Sequence, residues 1–130
     1  MSDDAWYAFL STAARVLGAG TSQAWSSSSW CAWTTYTALQ ESVQYWSAGL
    51  PPVEQLGQTG TKDGGVWGQP FLYKELAHLV IPRRFQWERL DGVKFEQGHR
   101  EQDLERLSRE LHALSINHRL TKLVLEVKLY

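Results

Sequence analysis

Residues 99–130 hold two periodicities side by side. Leu104, Leu107, Leu111 and Leu114 recur at steps of three, four and three, which places them on one stripe of an amphipathic helix. From Leu123 the period drops to two. Leu123, Leu125, Val127 and Leu129 fall on one side and Val124, Glu126, Lys128 and Tyr130 on the other, the alternation of a strand with one buried face. The link Ser115, Ile116, Asn117 is short, so this helix and strand are expected to pack on each other.

The same reading carries through the rest of the chain. Trp6, Phe9, Ala13 and Leu17 have helical spacing behind Asp3 and Asp4, and Gly18 and Gly20 follow, so a helix is expected from about Asp4 to about Leu17. Tyr36, Leu39, Val43, Trp46 and Leu50 step by three and four, which predicts a helix from about Thr35 to about Ser47, closed by Gly49, Pro51 and Pro52. Trp30 to Thr37 reads either way, because its aromatic and β-branched residues favour a strand. Residues 51–69 are rich in glycine and proline and read as a long surface loop. Pro70 suits the opening of a helix whose inner stripe is Leu72, Leu76 and Leu79, up to Pro82. Two alternating segments, Phe85–Arg89 and Val93–Glu96, flank Leu90, Asp91 and Gly92, a hairpin signal.

The expected fold is therefore α+β: one globular domain over 1–130, with a small antiparallel or mixed sheet packed against three to four helices. That sheet would combine the hairpin 85–97 with the C-terminal strand 120–130. A chain of 130 residues is long enough to bury a core without disulfides or metal.

Composition narrows the class. With 43% hydrophobic and 21% charged residues the chain is globular, and no apolar run reaches the length of a spanning helix. The segment MSDDAWYAFL is acidic where a secretory signal is basic, and Cys31 has no cysteine to pair with, so a cytoplasmic protein is expected. A formal net charge of -1 argues against a broad nucleic-acid footprint. Residues 1–65 carry two basic against five acidic groups, Asp63 among them, and between Val16 and Val66 charge is almost absent while tryptophan and tyrosine accumulate.

Candidates for chemistry are few. His99 and Asp103 stand four apart, a spacing for two metal ligands, but two residues do not make a site, and the plainer reading is that Glu101 and Asp103 favour a helix amino terminus with His99 before it. Cys31 between Trp30 and Trp33 reads as a small apolar residue rather than a nucleophile. Ser26–Ser29 lack the glycine elbow that exposes a reactive serine, and Gly64 and Gly65 lack the pattern of a phosphate loop. No catalytic residue, metal or cofactor is expected.

Seven tryptophans exceed what a small core needs. Trp6, Trp46 and Trp87 fall on inward stripes. Trp25, Trp30, Trp33 and Trp67 lie in or beside loops and are the candidate partner-binding anchors, joined by the basic pair Arg83 and Arg84. The leading expectation is a non-enzymatic protein-binding domain. In size and composition it is of the kind of small bacterial immunity proteins and antitoxins, which neutralise a toxin by covering its active site; no family motif is present. Two alternatives stand beside it. One is a small enzyme or ligand-binding domain with a pocket between helices and sheet, using Cys31, His78 or His99. The other is a weak nucleic-acid module that stacks bases on aromatic rings beside Arg83 and Arg84. A homodimer is left open.

Overall fold

A computed structural model describes residues 1–62 and 64–130. Asp63, counted above among the loop's few charges, lies outside the described residues. In chain order the elements are α1 (Asp3–Leu17), β1 (Cys31–Thr35), α2 (Tyr36–Glu41), β2 (Trp46–Ala48), β3 (Gly60–Thr61), β4 (Phe71–Leu72), β5 (Leu76–Pro82), β6 (Arg84–Asp91), β7 (Lys94–Glu101), α3 (Leu104–Ala113), β8 (Arg119–Leu120) and β9 (Val124–Lys128). Five strands form one antiparallel sheet in the order β2-β1-β5-β9-β8, while β3 with β4 and β6 with β7 form separate two-stranded sheets.

The expected arrangement of the sheet is overturned. The hairpin does not join the C-terminal strand; β9 pairs with β5 on one side and β8 on the other, and β6–β7 stands apart. The helix expected from Pro70 is instead β4, a 3₁₀ turn at Tyr73–Glu75, and β5, the central strand. Within β5, Ala77, Leu79 and Ile81 are buried while His78, Val80 and Pro82 are partly exposed. The wider spacing of Leu72, Leu76 and Leu79 masks that two-residue period in the sequence.

The helix expected over 35–47 is cut to α2. Thr35 caps its start by accepting from the Ala38 N–H at 3.1 Å. At its end the N–H groups of both Ser42 and Val43 donate to the Ala38 carbonyl, and Val43 takes φ 50°, a left-handed conformation that a helix cannot continue. Trp46–Ala48 then pairs with β1 rather than extending the helix. Among the described residues there are thus three α-helices, fewer than the four helical segments expected.

One face of the five-stranded sheet carries the core. Register places Trp33, Leu79 and Val127 side by side, with Cys31, Ile81 and Leu125 on the same face. These pack with Trp6, Phe9, Leu10 and Ala13 of α1 and Leu104, Leu107 and Leu111 of α3 in one buried cluster. Arg15 of α1 donates to Glu110 of α3 at 2.6 Å across the helix pair. Asp103, weighed above as a metal ligand, is the N-cap of α3 and accepts from the Arg106 N–H at 3.1 Å. Leu123 and Leu114, read as inward, are exposed, because β9 begins only at Val124 and α3 ends at Ala113.

The charge-poor stretch after α1 has a structural cause. Ser27 and Ser29 are buried; Ser27 Oγ accepts from the Thr21 N–H at 3.0 Å and Ser29 Oγ from the Leu50 N–H at 3.1 Å. Gly20 and Gly49 bring two backbones so close that a Cβ on Gly20 would stand 2.2 Å from the Cα of Gly49. Hydroxyls satisfy buried amides there, where a charge would be left unpaired.

Candidate docking arm

The β6–β7 hairpin is the element the core does not consume. Its strands pair without a break from Arg84 opposite Glu101 to Asp91 opposite Lys94, leaving a two-residue turn of Gly92 and Val93. Gly92 has φ 62°, so glycine stands first in the turn, the order of a type II′ hairpin.

One face of the arm rests on the chain. Phe85 stacks on Trp30 with ring centroids 6.0 Å apart. Trp87 lies over Gly98, its cross-strand partner, where a Cβ would come within 2.8 Å of the indole. Arg100 holds its guanidinium 5.1 Å above the Trp87 ring and donates to the carbonyls of Ala24 at 3.0 Å and Trp25 at 2.9 Å. Arg89 lies 5.4 Å over Trp25. At the base, the Trp30 N–H donates to Gln102 Oε1 at 3.1 Å, and Gln102 Nε2 donates to the carbonyls of Trp30 and Pro82, both at 2.9 Å. The arm is therefore fixed at its root by side chains with few alternatives.

The other face is open. Arg84, Gln86, Glu88 and Leu90 on β6 and Phe95, Gln97, His99 and Glu101 on β7 are all exposed. Its far end is apolar: Leu90, 72% exposed, stands opposite Phe95, 56% exposed, and Val93 at the turn is fully exposed. Scattered exposed apolar residues are ordinary, whereas three adjacent ones at the end of a hairpin make an exposed apolar patch. The charges around them neutralise one another. Arg89 lies 3.4 Å from Asp91 and 3.5 Å from Glu96, and Lys94 lies 3.5 Å from Glu96.

The expected site residues divide. Half-buried Trp30 comes to the root of the arm, exposed Trp25 lies along it beneath Arg89, and Arg84 is exposed on its open face. Arg83 is a clamp: it donates to Glu105 at 2.6 Å and to the carbonyls of Lys122 and Thr121 at 2.8 and 3.2 Å. The Glu105 hydrogen bond holds the guanidinium charged, and the same bond holds the Glu105 carboxyl below its ordinary range. Trp33 and Trp67 are buried in the core, stacked at 4.0 Å and 16°, with Trp67 Nε1 donating to the Gly49 carbonyl at 3.2 Å. For Trp33 and Trp67 the expectation of surface anchors is overturned: these large flat rings close the core beneath the loops they flank.

Leu90, Val93 and Phe95, the exposed apolar patch, are not among the candidate anchors the sequence offers. A signal existed. Phe85 and Trp87 fix the phase of β6, and Leu90 falls out of that phase, as does Phe95 on the partner strand.

The residues named for an enzyme do not converge. Cys31 is buried on the core face, His78 lies on the opposite face of the same sheet, and His99 is on the arm. Burial pushes the Cys31 thiol far up, away from the thiolate a nucleophile needs. Among the described residues no group of three or more His, Cys, Asp or Glu side chains is placed to hold a metal ion, and no helix is long and apolar enough to cross a membrane. No protein-family model, curated protein or solved structure matches the chain.

Proposed function

We propose that the chain is a protein-binding domain that seats the end of its β6–β7 arm in a recess of a partner protein. The observation that carries this reading is the apolar tip of Leu90, Val93 and Phe95 on an arm fixed at its root. Each such side chain, once buried, contributes roughly 1.5–3 kcal/mol. A rigid arm binds with little loss of conformational entropy. Trp25, beneath Arg89, would form the rim of the contact, and Arg84, at the start of β6, would meet the partner only outside the recess.

A projecting wedge suits a concave target, and an active-site cleft is the commonest concavity on an enzyme. An immunity protein or antitoxin that plugs the cleft of its toxin is the form of partner binding this shape supports best. The lone buried Cys31 is compatible with the reducing cytoplasm, where such inhibition takes place. Nucleic acid is disfavoured as the target, because Glu88, Asp91 and Glu96 outnumber Arg89 and Lys94 near the tip.

The test is site-specific cross-linking. With the partner captured and purified, a photoreactive side chain at position 93 is expected to give cross-links confined to one recess of the partner. Cross-links from Val93 scattered over the partner, or none while the complex forms, would remove the arm from the interface.

A further inference from the structure

On the sheet face opposite the helices, β5 places His78 between Thr34 of β1 and Lys128 of β9. Tyr45, one residue before β2, reaches this imidazole from the side. Its hydroxyl lies 2.7 Å from His78 Nδ1 and 3.4 Å from the Tyr130 hydroxyl. At the other end of the ring, His78 Nε2 lies 3.5 Å from Glu126 Oε2 and is buried with no hydrogen-bond partner. The rings of Tyr45 and Tyr130 meet the imidazole nearly perpendicular, at 5.6 and 6.1 Å. The titratable and charged groups around His78 are thus Tyr45, Tyr130, Glu126 and Lys128, with Arg119 3.6 Å from the second oxygen of Glu126.

Each contact fixes the next. A carboxylate beside Nε2 favours the tautomer with the proton on Nε2, which leaves the Nδ1 lone pair to accept from the Tyr45 hydroxyl. Burial and the Tyr130 hydroxyl push the Tyr45 phenol up to about 12, so it keeps its proton at neutral pH and needs a base to react. A hydroxyl, a base within hydrogen-bond reach and a third group that orients the base form the arrangement that activates a nucleophile.

We propose that Tyr45 is a reactive tyrosine, an acceptor of an acyl group from an activated ester, with His78 as its general base and Glu126 as the residue that positions His78. The Tyr45 oxygen attacks the ester carbonyl carbon and forms a new C–O bond, and the bond to the leaving oxygen breaks. The Tyr45 proton passes to His78 Nδ1 and from there to the leaving oxygen; nothing is oxidised or reduced. Lys128 and Arg119 outnumber Glu126 around the network, so an ester with an anionic leaving group is the donor class the surroundings suit.

The chain carries its own controls. Tyr7, Tyr36 and Tyr45 are 37%, 39% and 38% exposed, and of the three only Tyr45 is hydrogen-bonded to an imidazole. The intact protein is treated with p-nitrophenyl acetate at neutral pH and O-acetylation of each tyrosine is followed by peptide mapping. Tyr45 is expected to react about a hundredfold faster than Tyr7 and Tyr36, the scale of general-base catalysis. His78→Gln should bring Tyr45 down to the other two, whose unchanged rates report that the fold persists. Glu126→Gln should slow Tyr45 while Tyr7 and Tyr36 keep their rates, and Glu126→Asp should recover part of the loss, a rescue that a packing defect alone would not give. Equal rates for Tyr45, Tyr7 and Tyr36 in the unmodified protein would overturn the proposal, and that comparison needs no variant to fold.

Discussion

The guanidinium of Arg100 lies across the indole of Trp87 at 5.1 Å and at the same time donates to the backbone carbonyls of Ala24 and Trp25. One side chain thereby ties the arm to the loop that follows α1. Arg100→Ala removes a cation–π contact and two hydrogen bonds to a charged donor, and should cost about 1–3 kcal/mol. Arg100→Lys should restore little, because an ammonium cannot span two carbonyls and stack on the ring at once. Chemical denaturation measures the cost, and amide exchange at Gly98 and Glu96, whose N–H groups face β6, should rise in the alanine variant. Unchanged stability and exchange would mean that the root of the arm is held by other contacts.

Trp67 and Trp33 stack face to face in the core, so their loss should be read in stability. Trp67→Ala should cost about 3–5 kcal/mol, the range for removing a large buried ring. Trp67→Phe keeps most of the buried area and should cost less, although it gives up the Nε1 bond to Gly49. Thermal melting of the two variants decides the matter; a Trp67→Ala protein that melts with the parent would place the ring outside the core.

Glu105 and Arg83 give the fold an acid-sensitive contact. The Arg83 hydrogen bond lowers the Glu105 carboxyl from its ordinary 4.5 in the folded protein. A folded value below the unfolded one means that the contribution is fully present above 4.5 and is lost as pH falls through the lower, folded value. Both groups face solvent, so the effect should be small and should shrink with added salt. Denaturation midpoints of the parent and Glu105→Gln should converge as pH drops below the carboxylate range and separate above it. A difference that grows toward acid pH would give the pair the opposite sign.

The ends of the chain were legible in the sequence because their patterns serve packing alone. Trp6, Phe9 and Ala13 on α1, Leu104, Leu107 and Leu111 on α3, and Leu125 and Val127 on β9 are buried where periodicity put them. The middle was not, for two physical reasons. β5 pairs on both sides, and a central strand with one buried face and one half-buried face blurs its period: Leu76 and Ala77 are both buried before the alternation sets in. α2 stops where Val43 turns left-handed and β2 gains a partner in β1, a contact between segments separated in sequence that no local window contains. In the charge-poor aromatic segment the sequence leaves burial and partner binding open for tryptophans beside loops; Trp33 and Trp67 are buried, Trp25 is exposed, and Ser27 and Ser29 supply hydrogen bonds to the backbone of the loops between. The β6–β7 hairpin was half legible. Asp91 and Gly92 announced the turn, but the meaning of Leu90 and Phe95 depends on which face of the hairpin rests on Trp25 and Trp30.

The central claim, that the arm's tip is the docking surface, is tested most directly by the affinity of the purified partner for a Leu90→Ser/Phe95→Ser double variant. Both side chains are exposed, so the variant should keep the parent's stability to within about 0.5 kcal/mol. Its dissociation constant should rise by about a hundredfold or more, close to 2.7 kcal/mol of binding energy. A folded double variant that binds the partner with the parent's affinity would contradict the account.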